Sequence, residues 1–259
     1  MIPKIIHYIW LGDEPIPEEM RRCLDSWAKW MPDYQLIKWD EETVQEIDSV
    51  FIREALEEEK WAFASDVIRL YAINQYGGIY MDTDVMVYKS FDPLLENKAF
   101  IGRENSMHQI GHTMEVYLTT CCFGAEKGNP FIKRCLDYYE GRHFKTSQND
   151  GLPTELRLDM TLNSKLFCVL AKDWGYNASV LADYEQHCNG DVLTIYPHRC
   201  FDATKQTGDT YTKHLALGTW REGERVVYTY SLRYKIGWRV RSCVERILRK
   251  FDYIMVKLK

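Results

Sequence analysis

The most constraining feature of the sequence is the segment of residues 61–87, in which an apolar helical pattern reaches two glycines and then a strand carrying two aspartates. Gly77 and Gly78 are typical of a helix end, and the residues after them predict a strand. In a strand, Asp82 and Asp84 would project from the same face. Carboxylates beside buried strand residues are costly unless they are compensated, so the pair predicts a Mn²⁺ or Mg²⁺ site. A solvated strand end is the alternative.

A charged pair precedes the glycines. Asp66 and Arg69 are three residues apart and therefore share one face of the predicted helix. The simple alternative is a surface ion pair of little value to stability. The apolar residues on either side, and the position just before the D-x-D strand, favour a role for this pair in a site.

The remaining pattern predicts an α/β fold with a mostly parallel sheet and helices on both faces, whose ligands bind at the carboxyl ends of strands. No internal repeat or convincing linker occurs. The predicted strands are 4–11, 34–40, 79–87, 99–104, 118–126 and 192–197. The predicted helices are 17–30, 41–47, 51–59, 61–76, 129–141 and 162–176, with a loop at 145–160.

Composition adds expectations about the environment of the protein. The eight cysteines include no CxxC pair, which argues against a zinc site of that kind. The start, Met-Ile-Pro-Lys, runs directly into strand-like sequence, so we expect no leader, reduced thiols and a cytoplasmic location. No apolar stretch approaches the ~20 residues of a spanning helix. No nucleic-acid partner is expected.

The segment 231–259 differs from the rest of this acidic chain, whose net charge is −5. It carries nine Lys or Arg residues against two acidic ones, with apolar residues at helical spacing. This pattern predicts a basic amphipathic helix, separate from a domain at 1–230, that lies on the anionic cytoplasmic membrane surface. Packing on its own domain or on a dimer mate is the alternative.

Four segments in order along the chain resemble the family 32 glycosyltransferases, which include capsular-polysaccharide enzymes and yeast mannosyl enzymes. The layout is also similar to the glucosyltransferase domain of large clostridial toxins. The segments are IPKIIHYIWLG, SWAKWMPDYQLIKWD, ASDVIRLYAINQYGGIYMDTDV and YTKHLALGTW. The resemblance implies a GT-A fold, a nucleotide-sugar donor, a divalent metal and retention of the anomeric configuration.

The resemblance also implies a role for each matching residue. Asp66, the nearest candidate for a nucleophile, would bind sugar hydroxyls, and Arg69 would contact the sugar-phosphate region. Donor contacts would come from Trp10 stacking on uracil, from Tyr80, from Asp82 on the ribose, and from Thr219 and Trp220 closing over the diphosphate. The expected metal ligands are Asp82, Asp84 and His214. Acceptor contacts in 158–166 are doubtful, because relatives often carry a proline there.

These observations together predict a retaining, metal-dependent hexosyltransferase. UDP-galactose is the expected donor, and UDP-glucose, UDP-GlcNAc, UDP-GalNAc and GDP-mannose are the alternatives. The expected acceptor is a lipid-linked saccharide in bacterial capsular or surface polysaccharide synthesis. One rival is a haloacid-dehalogenase-type phosphatase with Asp82 as nucleophile and Asp84 as general acid, although that fold places the motif near the chain start. The other rival is a non-catalytic sugar-binding protein or membrane adaptor.

Overall fold

A computed structural model describes residues 1–110, 113–148 and 153–217. Three parts of the predictions lie outside these residues, namely Thr219, Trp220 and the basic segment 231–259. The predicted domain boundary at residue 230 lies outside them as well.

The described chain alternates strands and helices through its first half and becomes richer in strands afterwards. The strands are β1 (Ile5–Ile9), β2 (Gln35–Trp39), β3 (Gly78–Met81), β4 (Val85–Val87), β5 (Ala99–Arg103), β6 (His108–Ile110), β7 (Thr113–Glu115), β8 (Leu118–Ala125), β9 (Gln186–Cys188), β10 (Leu193–Tyr196) and β11 (Thr212–His214). The helices are α1 (Glu18–Trp30), α2 (Glu41–Val44), α3 (Val50–Glu57), α4 (Trp61–Tyr76), α5 (Pro130–Asp137), α6 (Thr154–Arg157), α7 (Asn163–Lys172) and α8 (His198–Phe201), with a 3₁₀ turn at Asp92–Leu94.

Seven strands form the central sheet, in the order β2-β1-β3-β8-β5-β10-β9. Strand β1 is parallel to β2 and β3, and β10 is parallel to β5. Strand β8 runs antiparallel between β3 and β5, and β9 is an antiparallel edge strand. The predicted α/β fold with a mostly parallel sheet is therefore confirmed.

Apolar clusters cover both faces of this sheet. On one face the sheet packs against α3, α4, α5 and α7, and on the other against α1 and α8. Successive residues of β3 divide between them, because Tyr80 faces the first cluster while Ile79 and Met81 face the second. The alternation explains why this short strand is apolar on both faces.

The passage from α4 to β3 depends on its two glycines. Gly77 has φ +67°, and its N–H closes the helix on the Ile73 carbonyl at 2.8 Å. A Cβ on Gly77 would lie 2.7 Å from the Lys127 nitrogen, and one on Gly78 would lie 2.7 Å from the Ile5 carbonyl oxygen. Only glycine fits where the helix end meets the sheet this closely.

Buried His7 supports the same turn from β1. Its Nε2 lies 2.9 Å from the Gly77 carbonyl oxygen, and Trp39 Nε1 donates to its Nδ1 at 3.1 Å. These two contacts require a neutral ring with the proton on Nε2. Burial lowers the pKa of His7, which favours that neutral form.

The prediction of one continuous strand over 79–87 is wrong. Strand β3 ends at Met81, and the chain then turns, with the Val85 N–H bonded to the Asp82 carbonyl at 3.0 Å. Strand β4 leaves the central sheet and pairs with β11 instead. Helix α1 holds it there, since Trp27 Nε1 donates to the Val85 carbonyl at 2.7 Å. The argument that alternate strand residues share a face therefore does not apply to Asp82 and Asp84.

The sequence pattern also missed several short elements, namely the β6–β7 hairpin, β9, α8, β11 and the four-residue α6 within the predicted loop. The seven cysteines in the described ranges are free and buried. Among the helices of those ranges, none combines the length and apolar character needed to cross a membrane.

Candidate active site

A cleft of about 620 Å³ opens at the carboxyl ends of β1 and β3. All seven site residues that were predicted from the sequence and fall within the described ranges line this cleft, namely Trp10, Asp66, Arg69, Tyr80, Asp82, Asp84 and His214. They come from the residue after β1, from α4, from β3 and the turn after it, and from β11. The fold thus brings together residues that are up to 204 positions apart in the chain.

Asp82, Asp84 and His214 form a group capable of holding a cation. One possible ligand atom from each lies within 4.8 Å of the others. His214 joins the two aspartates because β11 pairs with β4, which places it opposite Val85. Two carboxylates and one imidazole suit Mn²⁺, and the carboxylates alone suit Mg²⁺.

His214 in β11 and the loop after this strand hold the two carboxylate oxygens of Asp84. His214 Nε2 lies 3.1 Å from Asp84 Oδ1, and the Leu217 N–H donates to Asp84 Oδ2 at 3.0 Å. These two partners outweigh burial and lower the pKa of Asp84. Burial alone would lower the pKa of His214, but Cys121, Asp84 and Asp82 outweigh it and raise that pKa to about 12. A cation that uses His214 as a ligand must therefore displace a proton from the ring.

Arg69 links the helix to the D-x-D turn. Its Nη2 lies 3.2 Å from Asp66 Oδ1, and its Nη1 lies 3.5 Å from Asp82 Oδ1. Nη1 also donates to the Thr120 carbonyl at 2.9 Å. The guanidinium carbon is 4.5 Å from the centre of the Tyr80 ring, a cation–π distance. With its side chain only 6% exposed, Arg69 serves to hold other groups in place.

Tyr80 acts on the same aspartate. Its hydroxyl donates to Asp82 Oδ1 at 2.5 Å, and the residue is almost completely buried. Asp82 therefore has one oxygen held by a phenol and a guanidinium. This leaves its second oxygen to meet a ligand in the cleft.

Asp66 is a buried carboxyl group beside a cation. Burial raises the pKa of Asp66 to about 6, since lost hydration outweighs the attraction of Arg69, and Asp82 raises it further. At neutral pH the group is ionised but desolvated. A carboxylate in this state is a strong acceptor for hydroxyl groups.

Asn163, which the sequence analysis did not identify, lies at the start of α7 and lines the cleft. Its Nδ2 donates to the Asp66 carbonyl at 3.2 Å, while its Oδ1 has no hydrogen-bond partner among the described residues. Only 3% of the residue is exposed, so an unmatched acceptor there calls for a ligand or an ordered water. The sequence feature that could have pointed to Asn163 is a polar residue at the start of a predicted helix. It lies within 158–166, the segment that differs from the pattern of the family that the chain resembles.

Trp10 closes the opposite end of the cleft. Its Nε1 donates to the Glu14 carbonyl at 2.7 Å, which orients the indole and leaves its ring faces for stacking. The ring is partly exposed, unlike the core tryptophan Trp27. The cleft thus runs from a flat aromatic surface to a cation-binding group and a buried carboxylate.

Comparison with known proteins is consistent with this geometry. Residues 17–101 match the family model described as "Glycosyltransferase sugar-binding region containing DXD motif". D-x-D occurs once in that range, at 82–84. Asp66, Arg69 and Tyr80 also lie within it, whereas Trp10 and His214 lie outside.

The relatives include two enzymes of Schizosaccharomyces pombe. Inositol phosphoceramide mannosyltransferase 3 is 31% identical over 135 residues, covering 51% of this chain and 35% of the relative. Inositol phosphoceramide mannosyltransferase 1 is 32% identical over 146 residues, covering 52% and 42%. The chain thus spans well under half the length of these relatives. Among solved structures, the PaToxG glycosyltransferase aligns with a TM-score of 0.47 and 22% identity, covering 66% of this chain and 69% of that one.

Proposed function

We propose that this protein is a metal-dependent glycosyltransferase that moves a hexose from a nucleotide sugar to an acceptor hydroxyl with retention of configuration. The observation that carries the proposal is the convergence of Asp82, Asp84 and His214 beside the Asp66–Arg69 pair in one cleft. Most of these residues lie in the segment that matches a glycosyltransferase sugar-binding region. The mostly parallel sheet agrees with the GT-A fold that the resemblance implies.

Asp82, Asp84 and His214 would hold the divalent cation, with Mn²⁺ favoured by the imidazole. When bound, such a cation neutralises charge on the diphosphate that leaves during transfer. Tyr80 and Arg69 hold Asp82 in the orientation that this role needs. We propose that both act by positioning that carboxylate, which revises the direct donor contacts implied by the resemblance.

The other side chains bind the donor. Trp10 offers a ring face for the nucleobase, and Asp66 accepts hydrogen bonds from hydroxyl groups of the sugar. Asn163 Oδ1 accepts one more. Thr219 and Trp220, which lie outside the described residues, stay a prediction for contacts to the diphosphate.

The reaction breaks the bond between the anomeric carbon and the diphosphate oxygen. The acceptor oxygen forms its bond to the same carbon on the face that the diphosphate leaves, and the acceptor proton passes to the released phosphate. Asp66 and Asn163 keep the sugar oriented during this exchange, while Arg69 holds Asp66 and Asp82 in place. No side chain is assigned a covalent bond to the sugar.

The proposal also concerns the identities of the hexose and of the acceptor. Galactose is what the resemblance predicts, whereas the names of the relatives specify mannose and an inositol phosphoceramide. Those names support a lipid-linked acceptor for this chain. Segment 231–259 would then hold the enzyme on the anionic cytoplasmic surface of the membrane where that acceptor lies. Bacterial capsular or surface polysaccharide synthesis stays a prediction.

The test measures release of free nucleotide from a panel of nucleotide sugars, including UDP-galactose and GDP-mannose, with and without Mn²⁺. We expect release from at least one donor that depends on Mn²⁺ and is lost in Asp84→Ala. Asp137→Ala is the matched control, because in the part of the chain that the structure describes the Asp137 carboxylate pairs with exposed Lys133 on α5, away from the cleft. Equal release by Asp84→Ala and wild type would refute the role of the metal. Turnover of a phosphate monoester alone would support the phosphatase rival, and binding without turnover would support the adaptor.

A further inference from the structure

The cleft extends outward beyond Asp66, along the first turns of α4. Helix α4 runs from this end of the cleft towards Gly77, so its residues before Asp66 lie further from the D-x-D turn than Asp66 does. Trp61 lines the cleft and precedes Asp66 by five residues. Because an α-helix rises about 1.5 Å per residue, Trp61 lies about 7.5 Å beyond Asp66 along the helix axis. That spacing leaves room for a second ring next to the sugar that Asp66 holds.

The surface of α4 between these two residues is low and uncharged. Ala62 and Ser65 line the cleft on this stretch, and both side chains are small. The Ser65 hydroxyl donates to the Ala62 carbonyl at 2.7 Å and accepts from Arg69 Nη2 at 2.9 Å. A ring lying on this stretch would therefore meet a surface whose polar groups already have partners.

Trp61 stands at the outer end of this surface, as the first residue of α4, and is 37% exposed. The indole N–H groups of Trp10, Trp27 and Trp39 each donate to an acceptor. Within the described ranges, the Trp61 indole has no hydrogen-bond acceptor and no aromatic ring packed against it. It therefore offers a ligand both a flat apolar face and an N–H donor.

The start of α7 forms the facing wall at the same level. Asn163 Nδ2 donates to the Asp66 carbonyl at 3.2 Å, which places this helix start beside Asp66. Leu162, the residue before it, also lines the cleft and is 50% exposed. Trp61 and Leu162 thus place exposed apolar surface next to the position of the donor sugar. Exposed apolar surface at the mouth of a cleft is typical of a ligand-binding surface.

We propose that Trp61 binds the acceptor, and that a six-membered polyhydroxylated ring, of a sugar or a cyclitol, stacks on its indole. This inference rests on the proposed function and names the acceptor position in the same cleft. Such a ring has an apolar C–H face for the indole and hydroxyl groups around its edge for the indole N–H. One edge hydroxyl then points along α4 to the donor sugar at Asp66. The competing occupant is the hydrocarbon chain of a lipid.

The experiment measures formation of the glycoside product with Mn²⁺ and the nucleotide sugars of the donor panel. The acceptors are methyl α-mannoside, methyl β-galactoside, myo-inositol and the octyl forms of the two glycosides. Wild type is compared with Trp61→Ala, Trp61→Phe and Trp30→Ala. Trp30 is the matched control, because it is 39% exposed at the end of α1 and does not line the cleft.

We expect wild type to form product with at least one of these rings. Trp61→Ala should raise the acceptor KM by about 5- to 50-fold, through loss of the stacking and of one hydrogen bond. The factor should be the same for a methyl glycoside and its octyl form, since the contact is to the ring. The donor KM should change less than about twofold, which separates an acceptor contact from general damage to the cleft. Trp61→Phe keeps a ring and should raise the acceptor KM by less than Trp61→Ala, and Trp30→Ala should match wild type.

A rise in KM that is confined to the octyl glycosides would assign Trp61 to a hydrocarbon chain and overturn the inference. An acceptor KM in Trp61→Ala equal to that of wild type would overturn it as well. A melting curve for each variant identifies lost folding; if Trp61→Ala unfolds, Trp61→Phe decides by the same comparison of methyl and octyl forms. If a nucleotide sugar is hydrolysed with Mn²⁺ but no ring of the panel accepts the hexose, the metal-dependent donor site stands and the inference fails. If no nucleotide sugar reacts at all, both fail.

Discussion

Replacing Arg69 with methionine tests whether burial or distance decides how much an ion pair contributes to the stability of this protein. Arg69 is 6% exposed in its side chain and faces two carboxylates, Asp66 at 3.2 Å and Asp82 at 3.5 Å. Methionine replaces the aliphatic part of the arginine side chain but leaves both carboxylates without their cation. Removing one partner from a buried ion pair typically costs about 3–5 kcal/mol.

The matched control is Arg134→Met. Arg134 lies closer to its partner, 2.6 Å from Asp173, but both side chains are about half exposed, at 44% and 59%. Exposed pairs contribute about 0–1 kcal/mol, because water already solvates the charges. The shorter contact is therefore expected to matter less than the longer, buried ones.

The pH dependence gives a second measure of the same change. Burial already raises the pKa of Asp66 to about 6, and losing Arg69 raises that pKa further. A carboxyl group with a raised pKa in the folded state stabilises the fold at low pH and loses that contribution as pH rises through the folded value. The stability lost in Arg69→Met should therefore be larger at pH 7.5 than at pH 5.

Chemical unfolding of the three proteins at both pH values measures these effects. We expect a loss of about 3–5 kcal/mol for Arg69→Met at pH 7.5 and less than about 1 kcal/mol for Arg134→Met. Equal losses in the two variants, or a larger loss for Arg69→Met at pH 5, would refute the reasoning from burial.

Three further outcomes follow from single side chains. Donor affinity of wild type should fall as pH drops below about 6, the pKa of Asp66. Calorimetry on Asp66→Asn should give a weaker affinity with a smaller fall between pH 7 and pH 5, and an equal fall in both proteins would contradict this role. Asn163→Ala should weaken donor binding by about 5- to 30-fold, because one hydrogen bond to the donor is lost. Its Mn²⁺ affinity, measured by electron paramagnetic resonance, should not change. A parallel loss of Mn²⁺ affinity would contradict the role of Asn163 as a donor contact. Gly77→Ala should lower the free energy of unfolding by more than Gly128→Ala does. Both glycines have φ near +70°, but of the two added Cβ atoms only the one on Gly77 would meet a backbone atom. Equal losses of stability would show that this close contact is unimportant.

The sequence predicts local features of this fold well and distant pairings poorly. Helix α4 was predicted with the bounds it has, 61–76, because its apolar face and glycine stop are both local signals. The break after Met81 could not be predicted, since it depends on β4 pairing with β11 about 125 residues later. Asn163 was missed for a related reason, because its importance comes from contact with Asp66 across the cleft.

The same contrast explains why the residues predicted for the site, where the structure describes them, lie in one cleft although one premise of the prediction was wrong. Asp82 and Asp84 were expected to share a strand face, yet they converge through a turn whose geometry is set by α1 and β11. The resemblance implied His214 as a partner without needing that geometry. The position of these residues in one cleft therefore does not support the argument from strand alternation. That argument is tested by the backbone of residues 78–87, which contradicts it.

The order of helix, glycines and D-x-D turn has a physical reason in the structure. Arg69 lies 3.5 Å from Asp82, yet helix α4 runs away from the D-x-D turn towards Gly77. The chain therefore has to reverse direction tightly at the glycines. The positive φ values of Gly77 and Gly78 allow that reversal, and β3 is only long enough to return the chain to the level of Arg69. A longer β3 or a non-glycine turn would move Asp82 along the sheet and away from the guanidinium. The spacing of Arg69, the glycines and Asp82 thus matches the contact between the guanidinium and the Asp82 carboxylate.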